Sequence, residues 1–363
     1  MKKRKIVIYS QYKSTGIGGV ENLIRMLQNS TEKDNYETVE VYHHEPINEI
    51  NTNISNVSYY KVNFKKNAIS FLTKRLGSYL KINEICASGN NVIILFHPES
   101  LFELSNKTLR NNFIILVQTN KLEKLLCRFG YFSIRLFYRF IDSFVLYTDN
   151  DKKELMKRCP FYTSAVQVIP RACRINTVRN FRKGVNNKKI VTIARIQESQ
   201  KNFIAMIEIM KILGEEYQLD IYGDGSEQEI HDLKNLIQST SNVNFCGVAY
   251  DIPNILGEYS LFIMTSHFEG FGQTLIEARS QALPIVAYDT FEALHWIVSD
   301  ENNGYIIDNG NGKLFAEKVK LALNDDITYS RLSMSALKKA KETESKLVVG
   351  RWGELIDSFT RKS

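Results

Sequence analysis

The sequence predicts an α/β protein made of two doubly wound domains. Three features predict it. The length of 363 residues suits two domains of about 170–180 residues better than one. Short apolar runs alternate with stretches of helical spacing, and that alternation restarts after a polar, basic segment near the middle of the chain. Hydrophobic residues make up 44% of the chain, enough for two cores.

In the N-terminal half KIVIYS, VEVYHH, VIILFH, NFIILVQ, SFVLYT and VQVIP read as strands. They are nearly continuous apolar runs, as parallel strands covered on both faces require. Residues 20–29, 67–86 and 121–140 have helical spacing, and strands alternating with helices imply a parallel sheet with crossovers. Residues 175–188 are polar and basic with almost no apolar periodicity, and read as an interdomain linker. KIVTIAR restarts the pattern, followed by a helix over 202–214 and by QLDIYG, NVNFCG, LFIMTS, LPIVAY and GYIID as strands. From about Glu342 the chain is helical, with Leu347, Val348, Trp352, Leu355, Ile356 and Phe359 on one side. The domains are thus expected at 1–178 and 186–341, with a terminal helix over 342–363.

No stretch approaches the roughly 20 consecutive apolar residues of a membrane-spanning helix. The opening MKKRKIVIYSQY sets basic residues before an apolar run, but the run stops at Ser10 and Gln11, short of the about 7–15 residues of a leader. It reads as a buried first strand, and the expected location is the cytoplasm. Five scattered cysteines (Cys86, Cys127, Cys159, Cys173, Cys246) and six histidines without ligand spacing predict reduced thiols and no metal site. The net charge of +7 is unevenly spread. Through Lys183 there are 29 Lys and Arg against 15 Asp and Glu, a balance of +14, and the remainder has 18 against 25, a balance of −7. The N-terminal half should therefore face something anionic, either nucleic acid or a membrane surface.

Three segments carry candidate chemistry. STGIGGVENLIRML follows the first strand: Gly16, Gly18 and Gly19 let backbone amides approach a ligand, and a helix from Val20 would point its positive end at a phosphate. The spacing is not the G-x-G-x-x-G of dinucleotide sites, and a plain tight turn would use the same glycines. IARIQESQKN puts Arg195 at a strand end and Lys201 at a helix start. A fork and a point charge so placed can clamp a diphosphate, although two solvated surface charges would look the same. HFEGFGQTLIEARSQALPIVAYD carries Glu269 in a loop and Glu277 in the second turn of a helix beginning near Gln273, with Gly270 and Gly272 between them. Carboxylates accept from vicinal sugar hydroxyls, but an acid/base pair of glycosidase type also needs two of them.

Taken in order, with D-I-Y-G-D-G at 220–225, V-N-F-C-G at 243–247 and E-G-F-G-x4-E-A closing on Pro284, these segments resemble the retaining nucleotide-sugar glycosyltransferases of family four, the group 1 transferases with the GT-B fold. The resemblance implies two Rossmann-like domains facing a central cleft, with the C-terminal helix crossing back to the first, acceptor-binding domain. It implies that Arg195 and Lys201 neutralise the donor diphosphate. Glu277 would hold the ribose, and Glu269 with the amides of Gly270, Phe271 and Gly272 would contact the donor sugar. Gly18 and Gly19 would lie under the phosphates from the other domain, and the base would sit near Gly223, Gly247 and Val248. The implied donor is a nucleotide-diphosphate sugar, UDP-linked, used without metal or other cofactor. The implied acceptor is a cell-surface polysaccharide, a lipopolysaccharide or a lipid-linked glycan.

Departures from the family pattern fall on the acceptor side. His97 matches a frequent family histidine, or is an ordinary strand-end one. Gln118 stands where members commonly carry His, and offers an amide to the donor sugar but no proton transfer. Arg171 follows Pro170 in place of the Asn of I-P-N-G, and Gln281-Ala282 replace the Gly that usually precedes the hydrophobic-Pro pair. No nucleophilic carboxylate is evident in the first domain. The implied course is front-face displacement, in which the leaving phosphate takes the acceptor's proton. Two other readings stay open: a silent GT-B subunit serving another transferase, and a sugar-nucleotide epimerase on the same fold.

Residues 61–81 contain six Lys or Arg and no acid, and residues 121–139 contain five with one Glu among Leu, Phe and Tyr. Both predict basic amphipathic helices of the kind that lie on anionic lipid, a pattern shared by any helix with a solvated charged face. No nucleic-acid-binding motif accompanies them, so the expected partner is the inner face of the membrane. Lys65, Lys66, Lys74 and Arg75 would carry much of that attraction.

Overall fold

A computed structural model of the chain describes residues 4–16, 18–31, 36–46, 56–64, 70–178 and 187–360. The chain divides into two compact units, Met1–Ala172 together with Lys346–Ser363, and Cys173–Ser345. The expected linker at 175–188 lies beyond the first unit boundary, and its residues 179–186 fall outside the described ones, as do Lys65 and Lys66.

Unit 1 is a seven-stranded sheet of β1 (Arg4–Tyr9), β2 (Tyr36–Tyr42), β3 (Val57–Lys61), β4 (Val92–Leu95), β5 (Phe113–Val117), β6 (Ser143–Leu146) and β7 (Ala165–Val168). Its order is β3-β2-β1-β4-β5-β6-β7 and every pairing is parallel. Alternation along each strand feeds two cores, one per face. Ile6, Ile8, Ile94, Ile115 and Val117 join one cluster, while Val7, Tyr9, Ile93, Leu95, Ile114 and Leu116 join another. The terminal helix Ser345–Thr360 lays Val348, Trp352, Leu355, Ile356 and Phe359 into the first of these clusters. β3 has no counterpart among the six strands read from the sequence of this half. Edge strands are covered on one side only, so VSYYK is half-exposed and lacks an apolar run.

The basic stretch 121–139 is two helices rather than one, Leu122–Leu125 and Arg128–Phe137. Cys127 leaves helical geometry at ψ 165°, and Gly130 sits where a Cβ would lie 2.1 Å from the Leu125 carbonyl oxygen. The glycine permits the fold-back that separates the two helices.

Unit 2 is a six-stranded parallel sheet of β8 (Lys189–Ile193), β9 (Gln218–Tyr222), β10 (Val243–Gly247), β11 (Leu261–Met264), β12 (Ile285–Tyr288) and β13 (Gly304–Ile307). Its order is β10-β9-β8-β11-β12-β13. Ile190, Leu219, Ile221, Leu261, Ile263 and Val286 from the sheet pack on Phe203, Met206, Met210 and Phe315 from the helices. Arg279 is wholly buried. Its guanidinium donates to the Ile297 carbonyl at 3.1 Å and to Thr343 Oγ1 at 3.2 Å, and lies 5.1 Å from the Trp296 ring. Burial pushes its pKa down to about 10.

In both units the strand order reverses, between β1 and β4 and between β8 and β11. Ligands of open α/β sheets bind outside the carboxyl ends of the strands at such a point. Among the described residues no helix is long and apolar enough to cross a membrane.

Among the described residues Trp352 is the largest fully buried side chain, and its Nε1 has no partner. Trp352→Ala should destabilise the protein by about 3–5 kcal/mol. Trp352→Phe, which keeps a ring and removes the unpaired donor, should cost under about 1.5 kcal/mol. Denaturant unfolding followed by circular dichroism reads both.

Candidate functional site

Around the reversal in unit 2, the loops after β8 and β11 are laced together by hydrogen bonds. Thr265 Oγ1 donates to the carbonyls of Lys201 (3.1 Å) and Asn202 (2.9 Å). The His267 amide donates to the Gln200 carbonyl, and Gln200 Nε2 to the Phe268 carbonyl. Asn202 takes the left-handed conformation (φ +55°) between two helices and caps the second through Ala205 N–H. This lacing brings Lys201 Nζ to 2.5 Å from Glu269 Oε1, which also accepts from Ser266 Oγ at 2.8 Å. Lys201 and Glu269 are nearly buried, at 12% and 11% side-chain exposure, so the ion pair is shielded from solvent. Arg195, two residues past β8, is exposed, and the next residue, Ile196, anchors the loop in the core.

The ends of β8, β9 and β10 meet beside it. Gly223 N–H donates to the Gly247 carbonyl at 2.8 Å, and a Cβ on Gly223 would lie 1.8 Å from the Ala194 carbonyl oxygen. Only glycine fits that approach. Val248, just beyond, is exposed. Gly272 (φ +94°) precedes the helix Gln273–Ser280, and the Phe271 ring is buried 5.9 Å from the Trp296 ring. The amides of Gly270, Phe271 and Gly272 thus lie on a turn fixed by one buried ring.

Glu277, in the second turn of that helix, is fully buried and held by a residue the sequence reading passed over. Arg174 Nη2 donates to Glu277 Oε2 at 2.8 Å, Arg174 Nε donates to Oε1, and Gln273 Nε2 donates to Oε1 at 3.3 Å. The carboxylate expected at a ribose is occupied by a bidentate guanidinium.

In unit 1 the glycine loop rests on Glu40 of β2. Glu40 accepts from Ser14 N–H (2.7 Å), Ser14 Oγ (2.5 Å) and Gln28 Nε2 (2.7 Å), while Arg25 donates to the Ser14 and Gly16 carbonyls. Burial raises the Glu40 pKa against those hydrogen bonds. The helix Gly19–Thr31 begins there, with Gly18 just before it. Arg171 lies against Gly19 and donates to Tyr147 Oη at 2.9 Å and the Thr119 carbonyl at 3.0 Å.

Gln118 differs from the expectation that it offers an amide to a donor sugar. Its Nε2 donates to the Asn120 carbonyl (3.0 Å) and Asp151 Oδ1 (3.2 Å), and its Oε1 accepts from Tyr147 N–H (3.0 Å). The buried amide ties the ends of β5 and β6 together. His97 follows β4, exposed, at the start of the turn Pro98–Glu103. Among the described residues no group of three His, Cys, Asp or Glu could hold a metal ion.

Residues 175–339 match the family described as Glycosyl transferases group 1. This segment belongs to that family. The poly(glycerol-phosphate) alpha-glucosyltransferase of Bacillus subtilis (strain 168) is 31% identical over 177 residues, covering 47% of this chain and 26% of that protein. The poly(ribitol-phosphate) alpha-N-acetylglucosaminyltransferase of Staphylococcus aureus (strain COL) is 28% identical over 192 residues, covering 50% and 38%. The chain spans at most about half the length of these and a further curated relative. The structure of Anabaena HepE in complex with UDP and glucose aligns with a TM-score of 0.74 at 15% identity, covering 98% of this chain and 100% of that one. That likeness shows the GT-B fold. The group 1 segment carries Arg174, Arg195, Lys201, Glu269 and Glu277.

Arg174→Ala leaves the Glu277 carboxylate buried without its cation and should destabilise the protein by about 3–5 kcal/mol. The pair Arg174→Met with Glu277→Leu should recover most of that loss. Unfolding midpoints of the three proteins check it.

Proposed function

We propose that the chain is a retaining glycosyltransferase that moves a hexose or N-acetylhexosamine from a UDP-linked sugar to a cell-surface glycan. The observation that carries the reading is the Lys201–Glu269 ion pair at the strand reversal of a group 1 segment, with Arg195 on the loop that leaves β8. Two curated relatives are named as alpha-glucosyl and alpha-N-acetylglucosaminyl transferases, and a fold relative holds UDP and glucose, which supports the donor class. An α-glycoside made from an α-linked nucleotide sugar keeps its configuration, which supports retention.

In this reading the acceptor hydroxyl oxygen bonds to the anomeric carbon as the bond from that carbon to the phosphate oxygen breaks. The hydroxyl proton passes to the departing phosphate on the same face. Arg195 and Lys201 offset the charge gathering on that phosphate, and Lys201 exchanges Glu269 for it. Glu269, released, accepts from sugar hydroxyls. Charge compensation by these cations makes the reaction metal-independent, so turnover should survive EDTA. With a panel of UDP-sugars, nucleotide release should require acceptor, and Arg195→Ala and Lys201→Ala should each lower it at least about 100-fold. Near-native release in both variants overturns the assignment. Release of UDP from no donor leaves the silent-subunit reading.

We propose further that unit 1 rests on anionic lipid at the inner membrane face. Leu72 (66% exposed), Leu76 (59%) and Leu80 (61%) form a stripe on the helix Ser70–Ile85, and Phe129, Phe132 and Leu136 stand exposed on Arg128–Phe137. Phe102 bridges the two helices, stacked 5.7 Å from Phe129 and lying 5.6 Å from the Arg75 guanidinium. The apolar stripe and the surrounding Lys and Arg complement a surface with an apolar interior and anionic headgroups. Contiguous exposed apolar faces rimmed by polar residues mark binding surfaces. The wild type should sediment with anionic vesicles at low salt and be released at high salt. Leu72→Asn with Leu76→Asn and Phe132→Ser should weaken binding more than about tenfold. Indifference to anionic vesicles at low salt overturns the membrane reading.

A further inference from the structure

Unit 1 holds a cavity of about 430 Å³ at the carboxyl ends of β1, β2 and β4, away from the glycine loop's Glu40 network. We propose that this cavity binds a neutral sugar residue of the acceptor, held by Lys74, Arg75, Glu99 and Glu103 of its lining. The proposal rests on the transferase reading above and names the class of group its acceptor presents.

The volume is within the range of small-molecule sites, about 300–1,000 Å³, and suits one sugar ring with its neighbours. Its floor is a preorganised network. Tyr9 Oη donates to Glu103 Oε2, with Ser78 Oγ at 2.9 Å and His43 Nε2 at 3.0 Å. Ser78 Oγ donates to the Lys74 carbonyl at 3.0 Å and lies 2.7 Å from His43 Nε2. His43 Nδ1 is buried with no partner among the described residues, an arrangement that costs free energy until a polar partner reaches it. Burial and the nearby Lys74 and His44 hold the His43 pKa down to about 3, so the ring stays neutral.

Charge balance decides the class of ligand. Lys74 is half-buried and makes no ion pair among the described residues; its Nζ lies 3.5 Å from His44 Nε2. Arg75 donates to the Glu99 carbonyl at 3.2 Å and stands 3.7 Å from Glu103 Oε1. Two cations face two carboxylates, so a phosphate would meet as much repulsion as attraction. Vicinal hydroxyls, each both donor and acceptor, satisfy such a mixed wall in full. Phe129 lines the same cavity with an exposed ring, and the apolar face of a sugar ring packs on such a side chain. The exposed His97 lines the cavity as well, so the histidine that matches a frequent family position shares its wall with groups suited to positioning an acceptor hydroxyl.

The test uses the full chain and saturation-transfer NMR with methyl α-D-glucoside, methyl N-acetyl-α-D-glucosaminide and glycerol 1-phosphate as probes. UDP affinity is measured separately by titration. A methyl glycoside should receive saturation that falls at least fivefold in Lys74→Met, which leaves no carboxylate stranded, and in Glu99→Gln. UDP affinity should stay within twofold of wild type in both variants. Saturation of glycerol 1-phosphate alone overturns the neutral-sugar assignment, and glycoside signals unchanged by both variants place the sugar elsewhere. UDP binding without any glycoside signal sinks this inference and leaves the donor reading standing. Glycoside binding without UDP binding does the reverse.

Discussion

A crossover between parallel strands is right-handed, and that constraint shapes both units. Strands added outward from β1 to β2 and β3 place their helices on one face of the sheet. The return to β4 on the other side of β1 places the next helices on the opposite face. The loops leaving β1 and β4 therefore diverge, and so do those leaving β8 and β11. Backbone amides and side chains at those strand ends are thereby in the place where open α/β sheets take a ligand. The details in unit 2 follow from it. Thr265 and Gln200 hold the diverging loops at fixed separation, and Gly223 is glycine because the β9 end presses on the backbone just ahead of Arg195.

Charge at that gap has a physical logic different from charge in the core. Burying an ion pair seldom stabilises a fold beyond what an apolar pair of similar volume provides. Lys201 with Glu269 and Arg174 with Glu277 are therefore poor devices for stability alone. Each carboxylate and each cation is a group that hydroxyls or phosphates can also satisfy. The pairs hold these groups in fixed orientations. Arg279 is the contrast: it is more deeply buried, it is held by a backbone carbonyl, a threonine and the Trp296 face, and it forms no ion pair among the described residues.

What was legible in the sequence was whatever is local. All twelve apolar runs read as strands are strands, and the helix start near Gln273 follows directly from Gly272. β3 was not legible because a half-exposed edge strand has no apolar run to show. The break at Cys127 was missed because Gly130 acts through a close approach to Leu125 rather than through periodicity. Contacts between distant residues were the least visible. Arg174 and Glu277 lie 103 positions apart, Tyr9 and Glu103 lie 94 apart, and Ser14 and Glu40 lie 26 apart. Nothing in the spacing of any of these residues announces its partner. The partners of the Gln118 amide are hidden for the same reason, since Asp151 and Tyr147 sit on later elements.

On the function proposed above, the uneven charge of the chain separates two electrostatic tasks. A surface of lipid headgroups is extended, and attraction to it sums over many exposed cations, which the +14 balance through Lys183 supplies. A nucleotide diphosphate is compact, and the chain beyond Lys183 carries −7, so its net field would repel such a ligand. Screening limits that field to about 8–10 Å in physiological salt, while a cation in a partly dry site acts over a few ångströms at much lower effective dielectric. Two well-placed side chains can therefore reverse the local sign against an unfavourable total. Lys201, at 12% exposure and clasped by Glu269, lies where such short-range charge acts, and Arg195, exposed on the loop that leaves β8, is a fork of the shape a phosphate accepts.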